Sequence, residues 1–496
     1  MIGASLTLSY APFEHWWLAI ISFSGFFYLL IQTKHKTAST WWFAFGWFGA
    51  GISWVHVSIA DFGGVPLVFS VLMMAGLCGY LALFPALAVK LLQRCTSVVF
   101  WPMILPLLWV LTEWLRSWFL TGFPWLSIGY SQLHSPLGGW LPVIGETGVS
   151  GMLVLMTSAV ALAIHQKNWR FALMSITIPL ISGAILNPIE WTKPSGKQIS
   201  TAIIQGNIKQ ELRWAPEQDL PTMQRYLQDT QQYLGHDLII WPEAAIPKLE
   251  SLATEYITAL DEMTAASNSS LITGIVNYNY ESEQVYNSLI TLGNKLPGDK
   301  QGNYRYFHNN RFDKQHLLPI GEFVPFENVL RRLAPIFDLP MSSFTRGDFQ
   351  QRNLVANGIN IAPAICFEIA FPRQVRANLY AETEVILTVS NDAWFGRSHG
   401  PAQHMEIAQV RAKEMGLPLI RSTNNGISAF VDHRGNITDR LTQFERTSMS
   451  SMIALVNGTT PYRQFGDLGI WLITLSFAIA GFIVQRQTKH IKNQPR

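Results

Sequence analysis

Seven long apolar stretches constrain the fold of this chain more than any other feature of its sequence. Six of them lie before residue 190, and the seventh lies close to the C-terminus. Each is near or within the roughly 17–25 residues that span the hydrocarbon core of a bilayer. These stretches have no polar face to cover them in water, so the sequence predicts a multi-pass α-helical membrane domain. They cover residues 16–32, 41–59, 67–92, 98–120, 150–165, 171–186 and 469–484.

The composition supports a membrane protein and excludes several other classes. Charged residues make up only 14% of the 496 residues, whereas a typical soluble domain carries roughly a quarter. A chain that is 49% hydrophobic is not disordered, because disordered chains are poor in apolar residues. Three cysteines are too few for a disulfide framework in a chain of this length. A net charge of +3 is too small to favour nucleic acid as a partner.

The region between the sixth and seventh stretches has a different character. Charged residues return there, and short β-rich runs alternate with segments of helical period. We therefore predict a soluble α/β domain inserted between membrane helices. The predicted parts are membrane helices over residues 1–187, the α/β domain over residues 188–467, a last membrane helix over residues 468–486 and a basic tail over residues 487–496.

Basic residues flank the membrane helices at alternate loops. Lys and Arg occur at positions 34–36, 90–94 and 167–170 and in the tail, whereas the loops 60–66 and 121–149 contain neither. Because basic loops prefer the cytoplasm, the α/β domain is predicted to lie outside the cytoplasm and the tail inside it. Seven helices then leave the N-terminus outside as well. Either the N-terminus is external, or residues 1–10, which are apolar but too short to span, are the remnant of an eighth, first helix.

Three separated segments of the α/β domain carry residues that fit one chemistry. They are Leu238-Ile-Ile-Trp-Pro-Glu243, the block around Lys314, and Ile361-Ala-Pro-Ala-Ile-Cys366. A cysteine nucleophile needs a base or a positive charge nearby. A glutamate at a strand end can take the thiol proton, and a fixed lysine can stabilise the thiolate and the oxyanion of a tetrahedral intermediate. Each residue alone also has an ordinary structural interpretation, but together they form a set suited to acyl transfer.

These segments resemble the nitrilase superfamily of carbon–nitrogen hydrolases, whose triad is Glu–Lys–Cys in this chain order. The resemblance covers residues 199–455 and includes Ser390-Asn-Asp-Ala-Trp-Phe-Gly396. It implies a four-layer αββα sandwich with two stacked sheets, that is, an α/β nitrilase-like domain.

One branch of that superfamily, the apolipoprotein N-acyltransferases, carries the domain outside the membrane between transmembrane helices. The chain resembles this branch over essentially its full length. Further matching segments are residues 10–16, 205–208 with Trp214, 286–288 and 421–426. The family has eight membrane helices, which favours the interpretation that this chain begins within the first one.

The resemblance implies an enzyme of lipoprotein maturation in the bacterial inner membrane, with its catalytic domain on the periplasmic side. In the implied mechanism Glu243 is the general base and Lys314 stabilises the oxyanion, while Cys366 attacks an acyl ester of a membrane phospholipid to form a thioester. The α-amino group of the diacylglyceryl-modified N-terminal cysteine of an apolipoprotein then attacks the thioester. This ping-pong chemistry in the lipid bilayer needs no cofactor and no metal.

The resemblance also implies residues that support the site or bind substrate. Glu322 and Glu368 match positions that support or line the site in the family, and Asn391 matches a further position in the same group. Phe367 departs from the family, in which a tyrosine often follows the cysteine.

Two features of the sequence point to the entrance of an acyl chain. Trp214 and Trp394 match aromatic residues near the acyl-binding entrance of the family, although packing under a loop is an equal alternative. Residues 334–344 are apolar and punctuated by proline, and they form either a lid that dips into lipid or a plain loop over the core.

Other functions fit the sequence less well. A membrane-anchored nitrilase-type amidase would use the same triad to hydrolyse a C–N bond, but it would not require the membrane helices. A transporter or scaffold with an inactive domain predicts a broken triad or ionisable residues along the helices. The triad is intact, and Glu113 and Arg116 are spaced to pair with each other. A zinc site at His399, His404 and Glu406 is disfavoured, because helical zinc motifs place two histidines four residues apart.

Overall fold

The computed structural model describes residues 1–212, 215–295, 301–319, 321–323 and 344–492. The chain divides into two compact units, one of Met1–Trp191 with Thr459–Arg496 and one of Thr192–Gly458. We call them the helical unit and the catalytic unit. The predicted α/β domain of residues 188–467 differs slightly from the second unit, because residues 188–191 and 459–467 group with the helices.

Apolar helices make up the helical unit. Over the described residues, five are long and apolar enough to cross a membrane, and Lys36–Gly51 and Val55–Phe62 pass the same test as a pair bent by 60°. Trp16–Gln32 is a shorter apolar helix. The predicted helical membrane class is therefore confirmed. The α-helices are Ile2–Ser5, Trp16–Gln32, Lys36–Gly51, Val55–Val57, Leu67–Cys95, Trp101–Arg116, Leu141–His165, Trp169–Leu186, Pro461–Phe465 and Leu468–Lys492.

Two predicted stretches differ from the helices that form. The stretch 41–59 is interrupted, because the helix ends at Gly51 before the 60° bend. A Cβ on Gly51 would lie 2.2 Å from Cδ1 of Leu126, so the glycine makes room for a neighbouring loop. The stretch 150–165 is too short, because the helix begins at Leu141 and is kinked at Gly145, whose φ is 70°.

The described part of the catalytic unit contains two six-stranded sheets. The first contains β1 (Thr192–Gln205), β2 (Leu238–Ile240), β3 (Ser270–Asn279), β4 (Gln284–Leu292), β5 (Arg311–Asp313) and β12 (Thr447–Gly458), in the order β12-β1-β2-β3-β4-β5. The second contains β6 (Leu354–Ala356), β7 (Ile359–Ile365), β8 (Val385–Ser390), β9 (Leu419–Thr423), β10 (Ala429–Val431) and β11 (Ile437–Arg440), in the order β11-β10-β9-β8-β7-β6.

Both sheets have a parallel centre that brings strand ends together. Strands β1, β2 and β3 are parallel in the first sheet, and β7, β8 and β9 are parallel in the second. Residues that follow the carboxyl ends of parallel strands meet at one edge of the sheet, where α/β folds place their sites.

The layers follow the order helix, sheet, sheet, helix. Side chains of both sheets, including Ile240 and Leu387, form the apolar core between them. The first two helices of the unit pack on the outer face of the first sheet, where Tyr226 joins a second apolar cluster, and the last two contact the second sheet. This is the αββα sandwich that the resemblance implied. The α-helices of the unit are Pro216–Gln231, Thr254–Ala266, Pro372–Ala377 and Gly400–Met415.

Candidate active site

Glu243, Lys314 and Cys366 come together although they lie far apart in the sequence. Glu243 comes three residues after β2, while Lys314 directly follows β5 and Cys366 directly follows β7. The Nζ atom of Lys314 lies 3.2 Å from Oε1 of Glu243, and the charges of both residues act on the Cys366 thiol. Glu243 is 8% exposed and Lys314 is 2% exposed. The three predicted residues therefore lie together, with Glu243 and Lys314 buried and Cys366 partly buried.

Close packing at the end of β2 fixes the backbone of Glu243. The backbone N–H of the buried Trp241 donates to the carbonyl of Ile272 over 2.9 Å, so strand pairing continues beyond the end of β2. A Cβ on Gly274 would lie 2.2 Å from the backbone nitrogen of Ala244. Glycine at this position lets β3 approach the residue after Glu243.

Both oxygens of the Glu243 carboxylate have hydrogen-bond donors besides Lys314. The Nδ2 atom of Asn287 donates to Oε1 over 2.8 Å, and the backbone N–H of Asn391 donates to Oε2 over 3.0 Å. These donors orient the carboxylate, as a positioned general base requires. Asn391 thus contacts Glu243 through its backbone, while its side chain donates to Gln210 Oε1 over 2.6 Å.

Two carboxylates surround the ammonium group of Lys314. Its Nζ atom lies 2.8 Å from Oε1 of Glu322 as well as 3.2 Å from Glu243. Burial alone would lower the pKa of Lys314, but the negative charges of Glu243 and Glu322 outweigh burial and raise it. The second oxygen of Glu322 accepts the backbone N–H of Leu318 over 2.8 Å, which orients the carboxylate. Lys314 is therefore a fixed cation, suited to stabilising an oxyanion.

Cys366 occupies a strained turn at the end of β7. Its φ is 53°, a left-handed conformation that costs a non-glycine residue about 1–3 kcal/mol and is concentrated at functional sites. Burial raises the pKa of the Cys366 thiol to about 12; the negative charge of Glu243 adds to this rise, and the positive charge of Lys314 opposes it. The resting sulfur is therefore protonated at neutral pH, and a neighbouring base is needed to make it a nucleophile.

Glu368 connects the turn at Cys366 with the loop after Lys314. Its Oε2 atom accepts the backbone N–H of Ile365 over 2.7 Å. Its Oε1 atom accepts the backbone N–H groups of Gln315 over 2.8 Å and His316 over 3.0 Å. Burial raises the pKa of Glu368, although these backbone donors act in the opposite direction. The carboxyl group thus contacts the backbone next to both Lys314 and Cys366, and its predicted supporting role stays a prediction.

Aromatic rings surround the residue that follows Cys366. Phe367 is 5% exposed and meets Phe371 edge-to-face, with ring centroids 5.0 Å apart. Phe371 in turn stacks on His316 at a centroid distance of 3.5 Å. Phenylalanine suits this packing. The contacts therefore give a structural reason for its presence where a tyrosine is common in the family.

The predicted aromatic entrance is only partly described. Trp394 is half-buried in the short 3₁₀ turn Asp392–Phe395 that follows β8, and its role in acyl binding stays a prediction. Trp214 lies outside the described residues, and so do residues 334–343 of the predicted lid.

Sequence reasoning assigned no role to Asn287, although it lies in the matching segment 286–288, and missed a charged cluster beside Cys366. Asp392, His404 and Arg421 are buried and contact one another. The Nη2 atom of Arg421 donates to Asp392 Oδ2 over 2.8 Å, and Nδ1 of His404 lies 3.2 Å from Asp392 Oδ1. The segments 390–396 and 421–426 indicated family membership, but neither segment signals this contact, which depends on the pairing of β8 with β9.

Charge compensation sets the ionisation of this cluster. Burial would raise the pKa of Asp392, but the positive charge of Arg421 and the hydrogen bond from Ser390 lower it well below its usual value. Burial and the charge of Arg421 lower the pKa of His404. In the part of the chain that the structure describes, no group of three or more His, Cys, Asp or Glu side chains could hold a metal ion.

Comparisons with known proteins find a family model for each unit. The model described as the apolipoprotein N-acyltransferase N-terminal domain matches residues 2–159, and the model described as carbon–nitrogen hydrolase matches residues 200–459. Among solved structures, a CN-hydrolase superfamily protein of Xanthomonas campestris is 16% identical to this chain, with a TM-score of 0.37. The match covers 52% of this chain and 91% of the other chain.

Two curated relatives are similar over nearly the whole length. An apolipoprotein N-acyltransferase of Photobacterium profundum is 44% identical over 488 residues, which cover 96% of this chain and 93% of the relative. One of Vibrio vulnificus is 45% identical over 489 residues, which cover 97% of this chain and 95% of the relative. Identity at this level, with a matching model for each unit, shows that the chain belongs to the apolipoprotein N-acyltransferase family.

Proposed function

We propose that this N-acyltransferase works through a thioester on Cys366, with Glu243 as the general base and Lys314 as the oxyanion stabiliser. One observation supports this assignment above the others: the carboxylate of Glu243 and the ammonium of Lys314 are 3.2 Å apart and both act on the thiol of Cys366. A partly buried, protonated thiol needs a base to become a nucleophile, and the new negative charge on oxygen needs a cation.

The acyl donor in this proposal is a membrane phospholipid. Glu243 takes the thiol proton as the sulfur of Cys366 attacks the ester carbonyl, and the Lys314 ammonium stabilises the oxyanion of the tetrahedral intermediate. When the ester C–O bond breaks, Glu243 gives the proton to the departing oxygen of the lysophospholipid. The acyl chain is then bound to Cys366 as a thioester, and Glu243 is again a carboxylate.

The acceptor is the neutral α-amino group of the diacylglyceryl-modified N-terminal cysteine of an apolipoprotein. Its nitrogen attacks the thioester carbonyl, and Lys314 stabilises the second oxyanion in the same way. Glu243 takes a proton from the attacking nitrogen and returns it to the sulfur as the C–S bond breaks. The products are an N-acylated lipoprotein and Cys366 as a thiol. In this proposal the reaction is the last step of lipoprotein maturation.

Glu322 and Glu368 have supporting roles in this proposal. Glu322 shares the Lys314 ammonium at 2.8 Å, so it fixes the cation while Glu243 exchanges protons. Glu368 accepts backbone N–H groups on both sides of the site. Neither residue needs to change its own charge for the reaction to proceed.

The proposed location is the periplasmic side of the bacterial inner membrane. Both substrates are lipids, and moving an acyl chain into water costs about 0.8 kcal/mol per CH₂, so a site close to the bilayer avoids that cost. Thr192 and Gly458 are paired across β1 and β12, so the two connections to apolar helices leave the catalytic unit side by side. The basic loops that prefer the cytoplasm lie on the opposite side from the catalytic unit in the predicted topology.

Intact-mass spectrometry tests the proposal directly. The purified full chain is incubated with dipalmitoyl phosphatidylethanolamine in detergent, and we expect a mass increase of one acyl group. Cys366→Ser should abolish this adduct, whereas Cys95→Ser, which alters another free and exposed cysteine, should retain it.

The second step is tested by discharge of the adduct. A diacylglyceryl lipopeptide with a free N-terminal amine should remove the acyl group, and the same lipopeptide with an acetylated amine should not. An adduct that water removes as fast as the lipopeptide does would indicate a hydrolase instead of a transferase, and an adduct that survives in Cys366→Ser would contradict the assigned nucleophile.

A further inference from the structure

The buried side chains Asp392, His404 and Arg421, which we call the Asp–His–Arg cluster, reach Cys366 at two separate points. The Nε2 atom of His404 lies 3.1 Å from the carbonyl oxygen of Cys366. The second connection runs through Ser390, whose Oγ atom lies 2.6 Å from Asp392 Oδ1 and 3.3 Å from Cys366 Sγ. No step of the proposed reaction uses any of these four groups.

The partners of His404 determine which ring nitrogen carries its proton. A carbonyl oxygen can only accept a hydrogen bond, so the contact with Cys366 requires a hydrogen on Nε2. The Nη2 atom of Arg421 only donates, and it lies 3.0 Å from Nδ1 of His404 and 2.8 Å from Oδ2 of Asp392. Nδ1 also lies 3.2 Å from Oδ1 of Asp392, but a neutral imidazole has a single hydrogen. The Cys366 carbonyl requires that hydrogen on Nε2, so Nδ1 accepts from Arg421. Burial and the charge of Arg421 lower the pKa of His404, which keeps the ring neutral at pH 7 as an Nε2–H donor.

The hydrogen bond from His404 fixes one peptide group at the nucleophile. The carbonyl of Cys366 and the N–H of Phe367 belong to the same planar unit, so a donor that holds the oxygen also fixes the direction of the N–H. Cys366 has a φ of 53°, and such a conformation persists only where neighbouring contacts impose it. His404 supplies a contact of this kind from the helix Gly400–Met415, which packs against the turn.

The hydroxyl of Ser390 has one hydrogen and two acceptors. While the sulfur of Cys366 is a protonated thiol, the shorter contact to the carboxylate of Asp392, 2.6 Å, is favoured. Once the thiol proton has left, the sulfur is an anion 3.3 Å from the hydroxyl. Hydrogen bonds to ionised groups are roughly twice as strong as neutral ones, so the hydroxyl can turn to the thiolate while Arg421 still compensates Asp392.

We propose that the Asp–His–Arg cluster positions the nucleophile, with His404 holding the strained peptide of Cys366 and Ser390 donating to its thiolate. Asp392, His404 and Arg421 are positioning residues, because they act on the sulfur only through Ser390 or through the backbone. Ser390 contacts the reacting atom itself. The inference rests on the proposed role of Cys366 as the nucleophile.

Three variants in a Cys95→Ser background test the two connections. His404→Leu removes the donor at similar volume, His404→Gln keeps a side-chain N–H, and Ser390→Ala removes the hydroxyl. Tyr304→Phe is the matched control, because it removes a hydrogen bond to the buried Glu250 elsewhere in the catalytic unit. Two rates are measured on each full-length protein: acyl-adduct formation at varied phospholipid concentration, and alkylation of Cys366 by iodoacetamide without lipid.

The two connections predict different patterns. His404→Leu should lower the maximal acylation rate about 100-fold with little change in the lipid concentration that gives half the maximal rate, because misplacement of a reacting group by 1 Å costs a factor of this size. His404→Gln should recover about tenfold or more of that loss, since it can still donate to the carbonyl. Ser390→Ala should lower both acylation and alkylation about tenfold, the effect of one lost hydrogen bond to a charged group. Tyr304→Phe should change neither rate.

Clear outcomes would overturn the proposal. His404→Leu at the wild-type rate, or His404→Gln as slow as His404→Leu, would refute the connection through the carbonyl. Wild-type alkylation in Ser390→Ala would refute the connection through the sulfur. Ser390→Ala still tests the proposal if His404→Leu does not fold. A wild-type protein that is alkylated but never acylated would contradict the proposed function instead, because the alkylation comparison needs no lipid.

Discussion

Both units of this chain bury charged side chains, but they compensate those charges in different ways. In the helical unit Glu113, Arg116 and Glu146 are buried. The Nη1 atom of Arg116 donates to the backbone carbonyl of Phe123 over 2.8 Å, and the hydroxyl of Ser127 contacts both carboxylates. The arginine thus donates to a backbone group that never changes charge, while the carboxylate of Glu113 lies farther away, 3.9 Å from Nη2.

In the catalytic unit, the lysine is surrounded by groups that can gain or lose a proton. Lys314 lies 3.2 Å from Glu243 and 2.8 Å from Glu322, and its charge also acts on the thiol of Cys366. All three of these partners are titratable. The two cations are both buried, so it is the chemistry of their partners that separates them, and the proposed role of Lys314 depends on that difference.

Exchanging each cation for methionine should give the largest difference between the units. Lys314→Met should lower the rate of acyl-adduct formation by about 10³-fold or more, because the fixed charge facing the oxyanion is lost. Arg116→Met should leave the rate per folded molecule close to that of the wild type but lower stability by about 3–5 kcal/mol, the usual cost of breaking a buried pair, here that of Arg116 with Glu113. Intact-mass kinetics and thermal unfolding measure the two effects. Equal loss of rate in both variants would contradict this distinction between the two cations.

The sequence predicts the helical unit best where its helices face lipid. The stretches 67–92 and 171–186 form helices of which the rest of the protein buries only a small part. Such a helix must be apolar along its whole length to suit a bilayer, so both stretches are recognisable in the sequence. The helix Leu141–His165 is mostly buried inside the protein. Its first turns tolerate Glu146 and Thr147, so the apolar pattern starts too late and the helix is predicted nine residues short.

Some residues of the candidate site are recognisable from the local sequence, whereas others join it only through contacts between distant segments. Glu243 and Cys366 are recognisable because each ends an apolar strand, and Lys314 because of its place in the family order. The contacts of Asn287 and His404 leave no such local trace. His404 lies five residues from His399 and resembles only a poor metal motif, and it meets Cys366 because the helix Gly400–Met415 packs against the turn.

Acidification should weaken the catalytic unit through the Asp–His–Arg cluster. The pKa of His404 is lowered in the folded protein by burial and by Arg421, whereas an unfolded histidine takes up a proton near pH 6.5. The unfolded chain therefore binds the proton first, and stability that is present above about pH 6.5 is lost as the pH falls below it. Against the effect of burial, Arg421 also lowers the pKa of Asp392, so its contribution is lost only below the unfolded value of about 3.9.

Thermal unfolding between about pH 7.5 and pH 5 measures this dependence, with intrinsic tryptophan fluorescence as the signal. His404→Gln should flatten the fall in the unfolding temperature below about pH 6.5, since its side chain does not titrate. The matched control is His35→Gln, which removes an exposed imidazole from a loop of the helical unit and should leave the slope unchanged. A slope that survives in His404→Gln would assign the acid sensitivity to other groups.

The smallest effect is expected when one hydroxyl is added to a buried ring in each unit. Phe367 is 5% exposed and meets Phe371 at 5.0 Å, and Phe43 of the helical unit is 7% exposed and stacks on Phe26 at 3.9 Å. Exchange of either for tyrosine should cost about 1–3 kcal/mol of stability if the new hydroxyl finds no partner. The acylation rate should stay near the wild-type value in both variants. A rate that rises severalfold in Phe367→Tyr alone, at equal loss of stability, would show that the hydroxyl common in the family acts on the reaction and that aromatic packing only replaces it here.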